Sequence, residues 1–112
     1  MDKRTNNIVT DYVLSVSNIE KRLLKSFVFG SFARKTENSD SDIDIAFIFD
    51  NLNDDEKFDI QVNLLLLASK YDTRIEPHIL STDDITSGDP FAMEILRTGI
   101  EIYLGSLKNL VD

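Results

Sequence analysis

The chain has 112 residues, 42% of them hydrophobic, and its 12 basic against 20 acidic side chains give a net charge of -8. That length suits one compact domain spanning 1–112, and the acidic balance excludes a general nucleic-acid binder or a protein held to anionic membranes, since both need a basic face. It does not exclude a nucleoside triphosphate, because a metal ion can carry positive charge to the phosphates. With no cysteine, disulfides, thiolate metal sites and a Cys nucleophile are excluded too.

Met1 to Asn7 is polar and lacks a signal-like apolar core. The longest apolar run, Leu64 to Ala68, is too short to span a bilayer, so the expected location is cytoplasmic. Ile8, Tyr12, Val13, Val16 and Ile19 recur at three- and four-residue spacing, which predicts an amphipathic helix over 6–21. Ser26 to Phe29 reads as a strand ended by Gly30, Ser31 to Lys35 as a helical turn, and the polar stretch Thr36 to Ser41 as a loop.

From Asp42 to Phe49 the residues alternate. Ile43, Ile45, Phe47 and Phe49 face one way, and Asp42, Asp44, Ala46 and Ile48 the other. This strand therefore carries its carboxylates at one end of an otherwise buryable surface. Asp54 to Tyr71 reads as a helix capped by Asn53 or Asp54, with one face made by Phe58, Val62, Leu65, Leu66 and Ser69. Arg74 to Leu80 predicts a strand in which Pro77 marks an edge or a bulge. Ser81 or Thr82 caps a short turn, Pro90 to Thr98 forms a last helix stopped by Gly99, and Ile100 to Leu104 a final strand. The tail from Gly105 to Asp112 is expected to be loosely held, leaving a core of about 6–104. The order predicts an α+β fold (an α/β sandwich) with a mixed β-sheet and helices packed mainly on one face.

Chemistry concentrates between Phe29 and Asp44. Gly30 lets the backbone turn sharply and approach a ligand. Ser31 adds a hydroxyl and an N–H at a helix start, where phosphate oxygens are favoured. Asp42 and Asp44, two apart on a strand, leave the same face. Their mutual repulsion, about 4 kcal/mol at ~4 Å and an effective dielectric of 20, is relieved by a cation, and few all-oxygen ligands suit Mg²⁺. Glu76, on the next predicted strand, becomes a third carboxylate if the two strands are neighbours. His78, the only histidine, shares the face of Glu76, and a surface or hydrogen-bonded structural role is the reading preferred for it over one supporting a metal site. Asp40, Asp42 and Asp44 also have the opening spacing of a calcium loop, but Ile45 and Asn51 stand where that loop needs Gly and Glu.

Gly30-Ser31, ten intervening residues and then Asp42-Ile43-Asp44 resemble the signature of the DNA polymerase β-like nucleotidyltransferase superfamily. Phe29-Gly30-Ser31-Phe32-Ala33-Arg34, Ser41-Asp42-Ile43-Asp44-Ile45, Ile75-Glu76-Pro77-His78 and Glu94-Ile95-Leu96-Arg97-Thr98-Gly99-Ile100 resemble the minimal nucleotidyltransferase (MNT) group, related to the nucleotide-binding half of kanamycin nucleotidyltransferase. The resemblance runs from Ser26 to Tyr103 and implies the polymerase β-like fold. It implies that Gly30 and Ser31 hold the triphosphate, that Asp42, Asp44 and Glu76 bind one or two Mg²⁺ ions as the catalytic carboxylates, and that Arg34 and Ser41 contact phosphate. Lys35 departs from the many relatives that carry Gly there, which puts the loop geometry in question.

The same resemblance implies a protein adenylyltransferase that moves AMP from ATP to a hydroxyl of a partner. MNT antitoxins adenylylate a tyrosine of a helical HEPN toxin, so a HEPN-type partner is implied, and exposed apolar residues leave a homodimer open. The alternative is a non-catalytic module that binds nucleotide, or neutralises a partner by contact.

Overall fold

The structure, a computed structural model, describes residues 1–38 and 40–103. Leu104, expected to end the last strand, and the tail from Gly105 to Asp112 lie outside the described residues.

The first helix, α1 (Lys3–Ile19), starts earlier than the apolar spacing predicts, because Asp2 caps it. The Asp2 carboxylate accepts from the Thr5 N–H at 2.8 Å and from its hydroxyl at 3.1 Å, satisfying donors that a helix start leaves orphaned. Val9, Tyr12, Val13 and Val16 are buried along one side, whereas Ile19, expected on that side, is 60% exposed. Strand β1 (Leu23–Phe29) also begins earlier than expected. Its first residue pairs with Phe49, so ladder pairing rather than side-chain burial extends it.

A four-residue helix, α2 (Ser31–Arg34), leads into the loop before β2 (Ile43–Phe49). Then follow α3 (Asp54–Ala68), β3 (Ile75–Ser81), α4 (Thr82–Thr86), α5 (Pro90–Thr98) and the short β4 (Ile100–Glu101). The sheet order is β3-β2-β1-β4. β1 runs antiparallel to β2 and β4, and β2 runs parallel to β3, with α3 as the crossover. Pro77 lies on an edge strand without a bulge, since register is unbroken from Ile43↔Ile75 to Phe49↔Ser81.

The alternation along β2 builds two cores. Ile43, Ile45, Phe47 and Phe49 pack with Val9, Tyr12, Val16, Leu64 and Ala68 under the two long helices. Ala46 and Ile48 meet Phe27, Leu80, Ala92 and Ile95 on the other face, covered by the short α5. The mixed sheet with helices mainly on one face is therefore as expected. The lighter cover on the second face leaves its carboxylate end open.

Helix α3 turns the other way round from the face that its spacing marks. Phe58, Val62, Leu65 and Leu66 are exposed, by 70% and 64% at Phe58 and Leu66, while Leu64 and Ala68 are buried. Apolar residues occur nearly all round this helix, so periodicity alone does not choose a side. The choice falls to packing, where the buried Tyr12 hydroxyl donates to the Leu64 carbonyl at 2.8 Å. Asn53 and Glu56 form the reciprocal cap at its start. Among the described residues, no helix is long and apolar enough to cross a membrane.

Candidate active site

β1 ends at Phe29, which pairs with Asp44 across the ladder. Gly30 then turns the chain into α2 with φ 71° and ψ -148°, a conformation essentially confined to glycine. A Cβ at this position would lie 2.4 Å from Oδ2 of Asp44. Gly30 is thus required twice, by its backbone and by the carboxylate pressed against it. Phe32, only 4% exposed, anchors α2 in the main core, and the Thr36 N–H donates to the Ser31 carbonyl at 2.9 Å to close the turn.

Lys35 sits at φ 59° and ψ 36°. It takes up the left-handed backbone that glycine adopts freely, at a strain of about 1–2 kcal/mol. The departure noted in the sequence therefore alters the side chain but not the course of a helix end that commonly uses glycine.

Beyond it, the Asp40 N–H donates to Asn38 Oδ1 at 2.9 Å and the Asn38 N–H to Ser41 Oγ at 3.0 Å. One lone pair of the Ser41 hydroxyl is thereby committed to the loop. Asp42 is exposed and precedes β2, whose pairing to the β3 side begins where the Ile43 N–H donates to the Arg74 carbonyl at 2.8 Å. Arg34 is exposed at the end of α2.

The parallel register sets Asp44 directly opposite Glu76, with His78 two residues further along the same face. Nε2 of His78 lies 3.2 Å from Oδ1 of Asp44. One donor atom each from Asp44, Glu76 and His78 falls within 4.8 Å of the others. Asp42 stands outside this cluster, because it hangs off the strand end and is not held in the pleat. The structure therefore brings together Gly30, Asp44 and Glu76 from the expected set, keeps Ser31 and Arg34 on α2, and leaves Ser41 and Asp42 on the flanking loop. It adds two groups that sequence reading did not place in the site, His78 and Phe91. The His78 ring meets Phe29 and Phe91 with centroids at 4.9 and 5.8 Å. Its shared face with Glu76 was the signal available for His78. Nothing in the local sequence pointed Phe91 there.

The residues fit a divalent cation. Asp44 and Glu76 are neighbouring carboxylates, and among the described residues neither forms an ion pair with Lys or Arg. Two such groups side by side repel unless a cation lies between them, and Glu76 is open to solvent. A concavity of about 350 Å³ exists elsewhere, between Lys21, Leu24 and Glu101, but among the described residues no other group of three such donors comes together.

The sequence profile of the polymerase beta nucleotidyltransferase family matches residues 13–106. No curated protein matches the chain by sequence. Among solved structures, one from Sulfolobus solfataricus, provisionally described as a nucleotidyltransferase, superposes with a TM-score of 0.56 at 23% identity over 72% of this chain and 70% of that one. A toxin–antitoxin structure with AMP-PNP gives 0.59 at 19% identity, over 84% and 72% of the two chains. A mutant of the toxin–antitoxin MntA-HpeT carrying two Asp-to-Glu changes gives 0.58 at 17%, over 84% and 72%. These likenesses share the fold, and the profile match covers the Gly30 turn, the Asp44–Glu76 pair and both cores: the chain belongs to the polymerase beta nucleotidyltransferase family.

Proposed function

We propose that this chain is a metal-dependent nucleotidyltransferase that moves AMP from ATP to a hydroxyl of a protein partner, as the antitoxin of a HEPN-type toxin whose tyrosine is the acceptor. The observation that carries the transferase reading is the carboxylate pair Asp44–Glu76, set in parallel register and pressed from the side by the Gly30 turn. Asp44 and Glu76, with Asp42 from the adjacent loop, would hold one or two Mg²⁺ ions. Bound there, the metal supplies charge neutralisation at the reacting phosphate and lowers the cost of the attacking and leaving oxygens.

The chain's own groups do the rest. The Gly30-Ser31 backbone, with no side chain at the first position, receives the triphosphate at a helix start. Ser31, Arg34 and Ser41 would contact its phosphates, and Glu76 would either help to hold the metal or accept the proton of the attacking hydroxyl, with pyrophosphate leaving. The antitoxin reading is supported by two fold neighbours named as toxin–antitoxin structures, one of them with AMP-PNP. The outward apolar face of α3 supports a protein partner, since contiguous exposed apolar patches mark association surfaces.

The position of Asp42 outside the cluster favours a second reading, a module that neutralises its partner by contact. Labelled ATP, Mg²⁺ and the purified partner separate the two. Transfer of label that disappears in Ser31→Ala and in Asp42→Asn/Asp44→Asn supports the enzyme. Neutralisation that survives the double variant unchanged supports the contact module. Equal labelling with the double variant would refute the catalytic assignment.

A further inference from the structure

The carboxylate pair of this fold does not stand alone. His78 projects from the same face of β3 as Glu76, and its Nε2 lies 3.2 Å from Asp44 Oδ1. Adjacent ligands around an octahedral ion with bonds of about 2.1 Å stand about 3.0 Å apart. The His78–Asp44 spacing of 3.2 Å is thus close to that of neighbouring ligands on one cation, and Glu76 offers a third donor atom within 4.8 Å of both, a gap that a small side-chain adjustment closes. The ring is also held in place, edge-on to Phe29 and tilted against Phe91, so its nitrogen is presented without a search through rotamers.

We propose that His78 is a ligand of the metal centre together with Asp44 and Glu76, giving the site a nitrogen donor and a preference for a first-row transition ion over Mg²⁺. This rests on the reading of the carboxylate pair as a metal site. Carboxylates suit Mg²⁺, Ca²⁺ and Mn²⁺, whereas imidazole favours transition ions. A mixed set of two carboxylates and one imidazole selects Mn²⁺ over Mg²⁺ while keeping the octahedral habit that both share.

The test uses the full chain without a histidine tag. Mn²⁺ is titrated in and followed by its paramagnetic resonance signal, with Mg²⁺ as competitor, and the bound ion is probed for coupling to nitrogen. The wild type should prefer Mn²⁺ by tenfold or more and show that coupling. His78→Phe keeps a ring between Phe29 and Phe91. It should lose the coupling and bind Mn²⁺ at least tenfold more weakly, with Mg²⁺ affinity changed less than threefold. His78→Gln, with no aromatic packing, is the second variant and should lose the coupling likewise.

Absence of nitrogen coupling in the wild type overturns the proposal. So does an equal loss of both ions in His78→Phe, which would mean that His78 acts only by orienting Asp44. Mn²⁺ binding that survives His78→Phe but is lost in Asp44→Asn removes His78 and leaves the carboxylate site standing. Binding of neither ion by the wild type removes both.

Discussion

Gly30→Ala reports on the turn and on Asp44 at once. An alanine at φ 71°, ψ -148° costs about 1–3 kcal/mol of backbone strain. The stiffer unfolded chain returns about 0.4–1 kcal/mol. The new Cβ, 2.4 Å from Asp44 Oδ2, forces the carboxylate away, and its contact with His78 adds about 1 kcal/mol when broken. The net expectation is a loss of about 2–3 kcal/mol, or a melting temperature lower by roughly 10 °C in a chain of this size. The informative assay is a double-mutant cycle with Asp44→Ala, read by urea unfolding. In that background the two carboxylate atoms nearest the new Cβ are gone and the Cβ at position 44 lies at an ordinary 3.6 Å, so the carboxylate share should vanish and leave a coupling of about 1 kcal/mol. Equal cost of Gly30→Ala in both backgrounds would refute the idea that Asp44 is pressed against the turn.

Three further expectations follow from other parts of the fold. Lys35→Gly should stabilise the chain by about 0.5–1 kcal/mol in urea unfolding, because it relieves left-handed strain that exceeds the entropy gained by the unfolded chain; a loss of stability would contradict the backbone at that position. Burial of Tyr12 raises its phenol pKa above the ordinary 10.0, so the folded chain holds the neutral form where the unfolded chain ionises. Stability from this source is full below pH 10.0 and falls as pH rises beyond it, and Tyr12→Phe should cost about 1 kcal/mol at neutral pH yet flatten that alkaline loss in melts recorded against pH. Leu66→Asp, on the exposed face of α3, should leave stability within about 0.5 kcal/mol while weakening association with a protein partner in a binding titration; a large drop in stability would mean that this face is core after all.

Much of the site was legible because its parts are local. A strand, a Gly-Ser turn and an alternating acidic strand lie within Ser26 to Phe49, and each follows from short-range stereochemistry: glycine at positive φ, and side chains two apart on one face. The family resemblance then named Glu76. The sequence by itself also determined the α+β order and narrowed the α3 cap to Asn53 or Asp54 and Pro77 to an edge or a bulge, since capping and proline's missing N–H act within a few residues; the structure chose Asn53 and the edge.

What only the tertiary structure decided depends on pairings between distant segments. The parallel register of β2 and β3 puts Asp44 opposite Glu76 and draws His78 to its carboxylate. A shift of one residue would have sent His78 to the other face. The start of the ladder at Ile43 leaves Asp42 on the loop, though alternation alone placed it in the strand. The side that α3 buries was fixed by its fit against Tyr12 and β2, because a helix apolar all round carries no preferred face in its own sequence.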